Sequence, residues 1–176
     1  MNKYKNFIIT VVLCLLLCTL VACTSDGECR QSVVTSVGVE FFQPVYNDNT
    51  QDYKTQLTNL TIYVQGLDND SVLFDNISTN SVALPLKPLE QSTEYIFQIV
   101  GKTPDTLIIN HTNEEHFISL ECGIMVYHNL TDISFTKNQI DSVKIMHNAV
   151  KDDAASSKTP KQIRIFFKVN SKKYSC

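Results

Sequence analysis

The chain has 176 residues, 43% of them hydrophobic and 19% charged, with nine phenylalanines, seven tyrosines and no tryptophan. Fifteen basic and eighteen acidic residues give a formal charge of −3. The basic residues form no stripe, which argues against nucleic-acid binding, because phosphate neutralisation needs clustered Lys and Arg. The five glycines are scattered singly, so no phosphate-cradling loop is present.

In chain order, Lys3 and Lys5 make a short positive head, and Phe7 to Val21 is a nearly unbroken apolar run that ends in Leu20-Val21-Ala22-Cys23. Positive head, apolar stretch and small-residue cut site together describe a secretory signal. Fifteen apolar residues fall short of the roughly 20 that span a bilayer. The ending resembles the lipobox of bacterial lipoproteins, in which the cysteine thiol takes a diacylglyceryl group before cleavage. The expected organisation is a signal over 1–22, lipidation at Cys23, a polar tether over 23–31 and one folded domain over 32–176. Two or three acyl chains hold a protein durably where a single one does not. Without residues 1–22 the chain keeps 154 residues, thirteen basic and eighteen acidic, for a formal charge of −5. That is a normal size for one domain, and its charge offers no attraction to anionic headgroups.

Beyond the tether the pattern is alternation, not helical period. Val33, Val37, Val39 and Phe41 share one face of a first predicted strand, and Leu60, Ile62 and Val64 share one face of a second. Gly66-Leu67-Asp68-Asn69-Asp70 is a turn cluster, and short strands follow at Val72–Phe74 and Val82–Leu84, the latter stopped by Pro85 and Pro88. Thr93 to Val100 and Thr106 to Thr112, joined by Gly101-Lys102-Thr103-Pro104, read as a hairpin. Asn113 to Leu120 is the one stretch expected to form a turn or two of helix. Gly123–Leu130 and Gln139–His147 are further strands, and Lys151 to Pro160 is a solvated loop. In the final strand Ile163, Ile165, Phe167 and Val169 face one way while Arg164 and Lys168 face the other. Eight or nine short strands with turns between them predict an all-β fold, an antiparallel immunoglobulin-like β-sandwich.

Chemical motifs are sparse. No Gly-x-Ser-x-Gly elbow or Ser-x-x-Lys pair in a helix is present, no cofactor is implied, and a non-enzymatic protein is expected. His111 and His116, with Glu114 and Glu115 between them, are a loose zinc-ligand pattern that lacks the His-Glu-x-x-His spacing. Asp68 and Asp70, or the group Asn47, Asp48, Asn49 and Asp52, offer oxygen ligands to calcium without matching the twelve-residue calcium loop. Turn formation explains those residues better. His128 and His147 read as lone surface or core histidines. Tyr46 and Tyr53 are the only aromatic pair suggestive of a sugar platform, and packing explains both more simply.

Lipobox, Cys29, the strand Leu-Thr-Asn-Leu-Thr-Ile-Tyr-Val at 57–64, the Gly-Leu-Asp-Asn-Asp-Ser turn and Glu-Cys-Gly at 121–123 occur in that order. In this the chain resembles an uncharacterised lipoprotein family of Gram-negative gut-type bacteria, classed as a domain of unknown function. The resemblance covers essentially the whole mature chain and implies an outer-membrane lipoprotein, with no activity, substrate or catalytic residue. Asp26 and Glu28 faintly resemble the acidic surface-export signals of such bacteria. Asp70-Ser71-Val72, Asp105-Thr106-Leu107 and Asp141-Ser142-Val143 resemble their short O-glycosylation acceptor.

Three cysteines remain after cleavage and lipidation, Cys29, Cys122 and Cys176, so an oxidising compartment predicts one pair and one remainder. Cys29–Cys122 is the expected pair, which the resemblance also marks, with Cys176 left on the basic tail. Closing that loop stabilises by about 4–5 kcal/mol in the chain-entropy model. The expected function is an outer-membrane, lipid-anchored binding or structural module whose partner is another envelope component, a protein first. The alternative is a module that binds a glycan or a metal ion such as calcium.

Overall fold

In a computed structural model of the chain, the described residues are 4, 35–43, 53–66, 71–120, 122–151 and 161–168. Cys23, Cys29, Tyr46, Asp68, Asp70 and Cys176 lie outside them. Among the described residues eleven strands follow one another: β1 Ser36–Gln43, β2 Tyr53–Lys54, β3 Leu57–Val64, β4 Ser71–Thr79, β5 Ser81–Pro85, β6 Ser92–Ile99, β7 Asp105–Ser119, β8 Gly123–Phe135, β9 Ile140–Ile145, β10 Ala149–Val150 and β11 Ile163–Phe167. Alternating apolar residues make these segments strands, and Gly101 and Gly123 take the positive φ that their turns need (73° and 71°).

One sheet runs β2-β1-β11-β9, with β5 also on β1; the other runs β10-β8-β7-β6-β3-β4. Their inner faces form one core. Val37, Val39 and Phe41 of β1 with Ile163 and Ile165 of β11 meet Leu60 and Ile62 of β3, Tyr95 and Phe97 of β6, and Leu107 and Ile109 of β7. Phe41 sits edge-on to Phe97 across the sandwich at 6.3 Å and to Phe167 within its own sheet at 5.6 Å, the geometry that the ring quadrupole favours. Tyr95 is fully buried with its hydroxyl donating to Pro85 O, and burial pushes its phenol well above the ordinary value.

The β-sandwich matches the sequence pattern, with three differences. The first and last strands, β1 and β11, pair in parallel (Val39 with Ile163, Phe41 with Ile165), so the architecture is mostly but not wholly antiparallel. The second concerns β11, which is buried on both faces: Phe166 is 3% exposed, 5.6 Å from Phe42, and Lys144 lies over its ring at 4.9 Å. Third, Asn113–Leu120 is not helical. Asn113 to Ser119 continue β7, and Leu120 begins the turn. The ladder to β8 overrides the local polar pattern, with Asn113 against His128, Glu115 against Val126 and Phe117 against Ile124.

One buried carboxylate fixes the connection between the sheets. Asp105, 1% exposed, accepts from Thr136 Oγ1 and Asn138 N through Oδ1, and from Gln139 N and Ile140 N through Oδ2. It thereby pins the chain as it leaves β8 of one sheet to enter β9 of the other. Asp105→Ala is expected to lower stability by about 2–4 kcal/mol in urea unfolding, because buried backbone donors lose their acceptor. A change below about 0.5 kcal/mol, the level of an ordinary surface substitution, would contradict this role.

Candidate functional site

The hairpin β7–β8 is longer than the sheet it belongs to. Its ladder to β6 ends at Asn110 opposite Ser92, and the next bond is His111 N to Gln91 O. Beyond that point, among the described residues, β7 pairs only with β8, down to Ser119 opposite Gly123. The result is an arm that β10 still flanks at Asn129 and His128 and that is two-stranded beyond them. The inward face of the sheet continues along it as His111, Asn113, Glu115 and Phe117 on β7 and Leu130, His128, Val126 and Ile124 on β8. A register shift between Asn110 and His111 marks where the arm begins, as bulges commonly do where a ribbon changes course.

The root of the arm is a closed polar network. His111 and His128 are 1% and 4% exposed, with ring centroids 4.9 Å apart and edge-on. Asn113 Oδ1 lies 2.7 Å from Nδ1 of each ring. A carboxamide oxygen only accepts, so both rings must carry hydrogen on Nδ1. His111 Nε2 is then an acceptor, and Thr93 Oγ1 donates to it at 3.0 Å while receiving Lys87 N–H. Asn113 Nδ2 donates to Pro88 O and Glu90 O. Burial, and secondarily the neighbouring His111, push the His128 imidazole down to about 4. Burial also lowers His111, opposed by the Asn113 hydrogen bond and the charge of Glu90. Two neutral rings serving as linkers are a structural device; neither is poised to carry a proton at neutral pH.

The arm's polarity changes along its length. Asn113-Glu114-Glu115-His116 is polar, and His116 Nε2 pairs with Glu114 Oε1 at 3.2 Å beneath the Tyr127 ring. Towards the tip, Phe117, Leu120 and Ile124 are 67%, 90% and 58% exposed. Exposed apolar side chains gathered on one element are a feature of interaction surfaces. Cys122 lies in the turn, its amide donating to Ser119 Oγ.

Two cavities accompany these features. A hollow of about 410 Å³ beside the arm is lined by Thr112, Glu114, Tyr127, His128, Asn129 and Lys151 among others. A mouth of about 290 Å³ lies among Asn59, Val100, Lys102, Gln139, Phe167 and Lys168, but the Lys168 ammonium is spent on Lys137 O and Asn138 O.

The structure does not bring His111 and His116 together as ligands. Five residues apart on a strand, they point to opposite faces, one into the core and the other outward. Among the described residues no group of three or more His, Cys, Asp or Glu side chains is arranged to hold a metal ion. Tyr53 is an exposed residue of β2, while His147 is exposed beyond β9. The reading of His128 as a lone residue is corrected: it is half of a buried pair. The signal for that pair was parity, since His111 follows Leu107 and Ile109 at even spacing and His128 precedes Leu130.

Residues 59–167, more than half of the chain, match DUF6452, a family of unknown function. The chain belongs to that family. No curated protein and no solved structure matches. The β7–β8 arm, its histidine root and Asp105 all fall inside the part of the chain that defines DUF6452. Among the described residues of this member no helix is long and apolar enough to cross a membrane.

The folded His128 titrates near 4 and the unfolded side chain near its ordinary 6.5. Between those values the unfolded chain binds more protons, so stability is full above about pH 6.5 and falls as pH drops towards 4. His111 shifts in the same direction. Urea midpoints are expected to decline across this window, and His128→Gln to flatten the decline. An equally steep decline in the variant would place the acid sensitivity elsewhere.

Proposed function

We propose that this protein is an outer-membrane lipoprotein, anchored through Cys23, whose β-sandwich acts without catalysis by presenting the β7–β8 arm to another envelope component. The observation that supports this most is the exposure of Phe117, Leu120 and Ile124 on a projecting ribbon. Water-exposed apolar side chains at the end of an arm have no role in the core, but they suit a contact surface. The buried polar groups are taken up in the sandwich: Asp105 caps a connection, and His111, His128 and Asn113 bond one another. The signal, lipobox and resemblance described above support the anchor and the compartment.

Fractionation tests the anchor. The unaltered protein is expected in the outer-membrane fraction with a diacylglyceryl mass on its N-terminal peptide, and Cys23→Ser as an unlipidated precursor that keeps residues 1–22. A mature N-terminal peptide that carries no lipid on Cys23 would refute lipid anchoring. Photo-crosslinking from Glu115 in intact cells is expected to trap a specific neighbour, and protease shaving reports the membrane face. The proposed pairing of Cys29 with Cys122 predicts one linked peptide under non-reducing conditions. A Cys122–Cys176 peptide would displace it.

The hollow beside the arm favours a second reading, a glycan site. It combines one aromatic ring, Tyr127, with a carboxylate, a carboxamide and an ammonium from Glu114, Asn129 and Lys151. That mixture suits a hydroxyl-rich ligand. A glycan that raises the melting temperature of the unaltered protein but not of Tyr127→Ala would establish it.

A further inference from the structure

We propose that the tip of the β7–β8 arm, Phe117, Leu120 and Ile124, inserts into the same bilayer leaflet that holds the lipid anchor. The membrane, and not a protein, is then the component that this part of the arm meets. The proposal rests on the reading of Cys23 as the lipidated residue and deepens it.

Three observations carry it. First, the chain reaches the domain at the arm. Thr35, the residue just before β1, donates from Oγ1 to Val126 O on β8 at 2.8 Å, and Val126 faces Glu115 on the arm. Thr35, where the described part of the sandwich begins, therefore lies at the end that carries the arm. Second, the distances suit. Glu115 to Leu120 is five residues of ribbon, about 17 Å at the usual strand rise. Cys23 to Thr35 is twelve residues, with a reach of at most about 40 Å. Acyl chains at Cys23 and side chains at the tip can thus share one leaflet without strain. Because the anchor already confines the domain to the surface, tip insertion becomes an intramolecular event and needs little affinity of its own.

Third, the polarity of the arm matches the profile of a bilayer edge. Phe117, Leu120 and Ile124 are apolar and exposed, while Glu114 and Glu115 form an acidic collar behind them. Apolar side chains at such a tip reach about 5–10 Å into the headgroup and acyl boundary. The collar then stays among headgroups and water. Its charge also fixes the kind of lipid. Two carboxylates next to the tip gain nothing from anionic headgroups, so insertion is expected into zwitterionic bilayers and without dependence on anionic lipid.

The absence of tryptophan from the chain makes the test direct. Mature, lipidated protein carrying Leu120→Trp is reconstituted into phosphatidylcholine–phosphatidylethanolamine vesicles, with or without phosphatidylcholine brominated near the top of its acyl chains. Leu120 is 90% exposed, so the substitution leaves the fold intact. Val72→Trp is the control for the indole's own affinity for interfaces. Val72 is 52% exposed and, through Tyr63 and Ile96, sits level with Thr106 at the far end of β7.

Expected for Leu120→Trp are a blue-shifted emission on reconstitution, quenching by the brominated lipid and protection from aqueous iodide. Val72→Trp should show none of these. An introduced indole at position 120 that stays accessible to iodide and is unquenched by brominated lipid overturns tip insertion. So does equal quenching at both positions, which reports general adsorption. The mass of the N-terminal peptide from the same sample separates the two levels of the argument. Lipid on Cys23 with an unquenched indole overturns only the insertion, whereas an unmodified Cys23 overturns the anchor and the insertion together.

Discussion

A single carboxamide oxygen, Asn113 Oδ1, takes hydrogen bonds from two buried imidazoles, and the bearing of the arm depends on it. The position is critical because there the β7–β8 ladder leaves the shelter of β6 and the hydrophobic core gives out. A two-stranded ribbon alone is marginal in water. Here its base is clamped by bonds that run from the histidines through Asn113 to the carbonyls of Pro88 and Glu90, and through Thr93 to the amide of Lys87. Such a network is costly if any member is unsatisfied and rigid when all are. Apolar side chains in the same place would have buried the root equally well, but without fixing its direction.

The rest of the sandwich can be read as a platform for that root. Phe41, Phe97 and Phe167 lock the two sheets face to face, the parallel pairing of β1 with β11 joins the two ends of the domain, and Asp105 pins the passage from β8 to β9. These contacts hold the long hairpin at its core end, so the distal end can project. In the proposed function that projection is the working part: a domain tethered by lipid and in contact with its surroundings through the arm.

Much of the fold was legible in the alternation of apolar residues. Leu60, Ile62 and Val64, or Ile163 and Ile165, face the core where period-two reading puts them. Three features were not. Parallel pairing of β1 with β11 leaves no local signature, because it links strands more than a hundred residues apart. Phe166 and Phe42 stack on the outer face of their sheet, a contact between distant strands that single-strand parity cannot reveal. The arm itself was obscured, since Asn113-Glu114-Glu115-His116 has the polarity of a loop or a short helix and only the matching strand from Gly123 onward makes it a ribbon. The histidine pair was accessible in principle. His111 and His128 each lie in phase with core leucines, but sequence alone did not align the two strands so as to place both rings on one asparagine.

Backbone amide hydrogen exchange along β7 and β8 tests the central claim, that the root network holds the arm as an ordered extension of the sandwich. In the unaltered protein, amides bonded across the ladder from Asn113 to Ser119 and from Gly123 to His128 are expected to be protected. Asn113→Ala is expected to speed their exchange while leaving that of β3 and β6 unchanged. Arm amides that exchange as freely as unstructured chain in the unaltered protein, or that are indifferent to loss of Asn113, would contradict it.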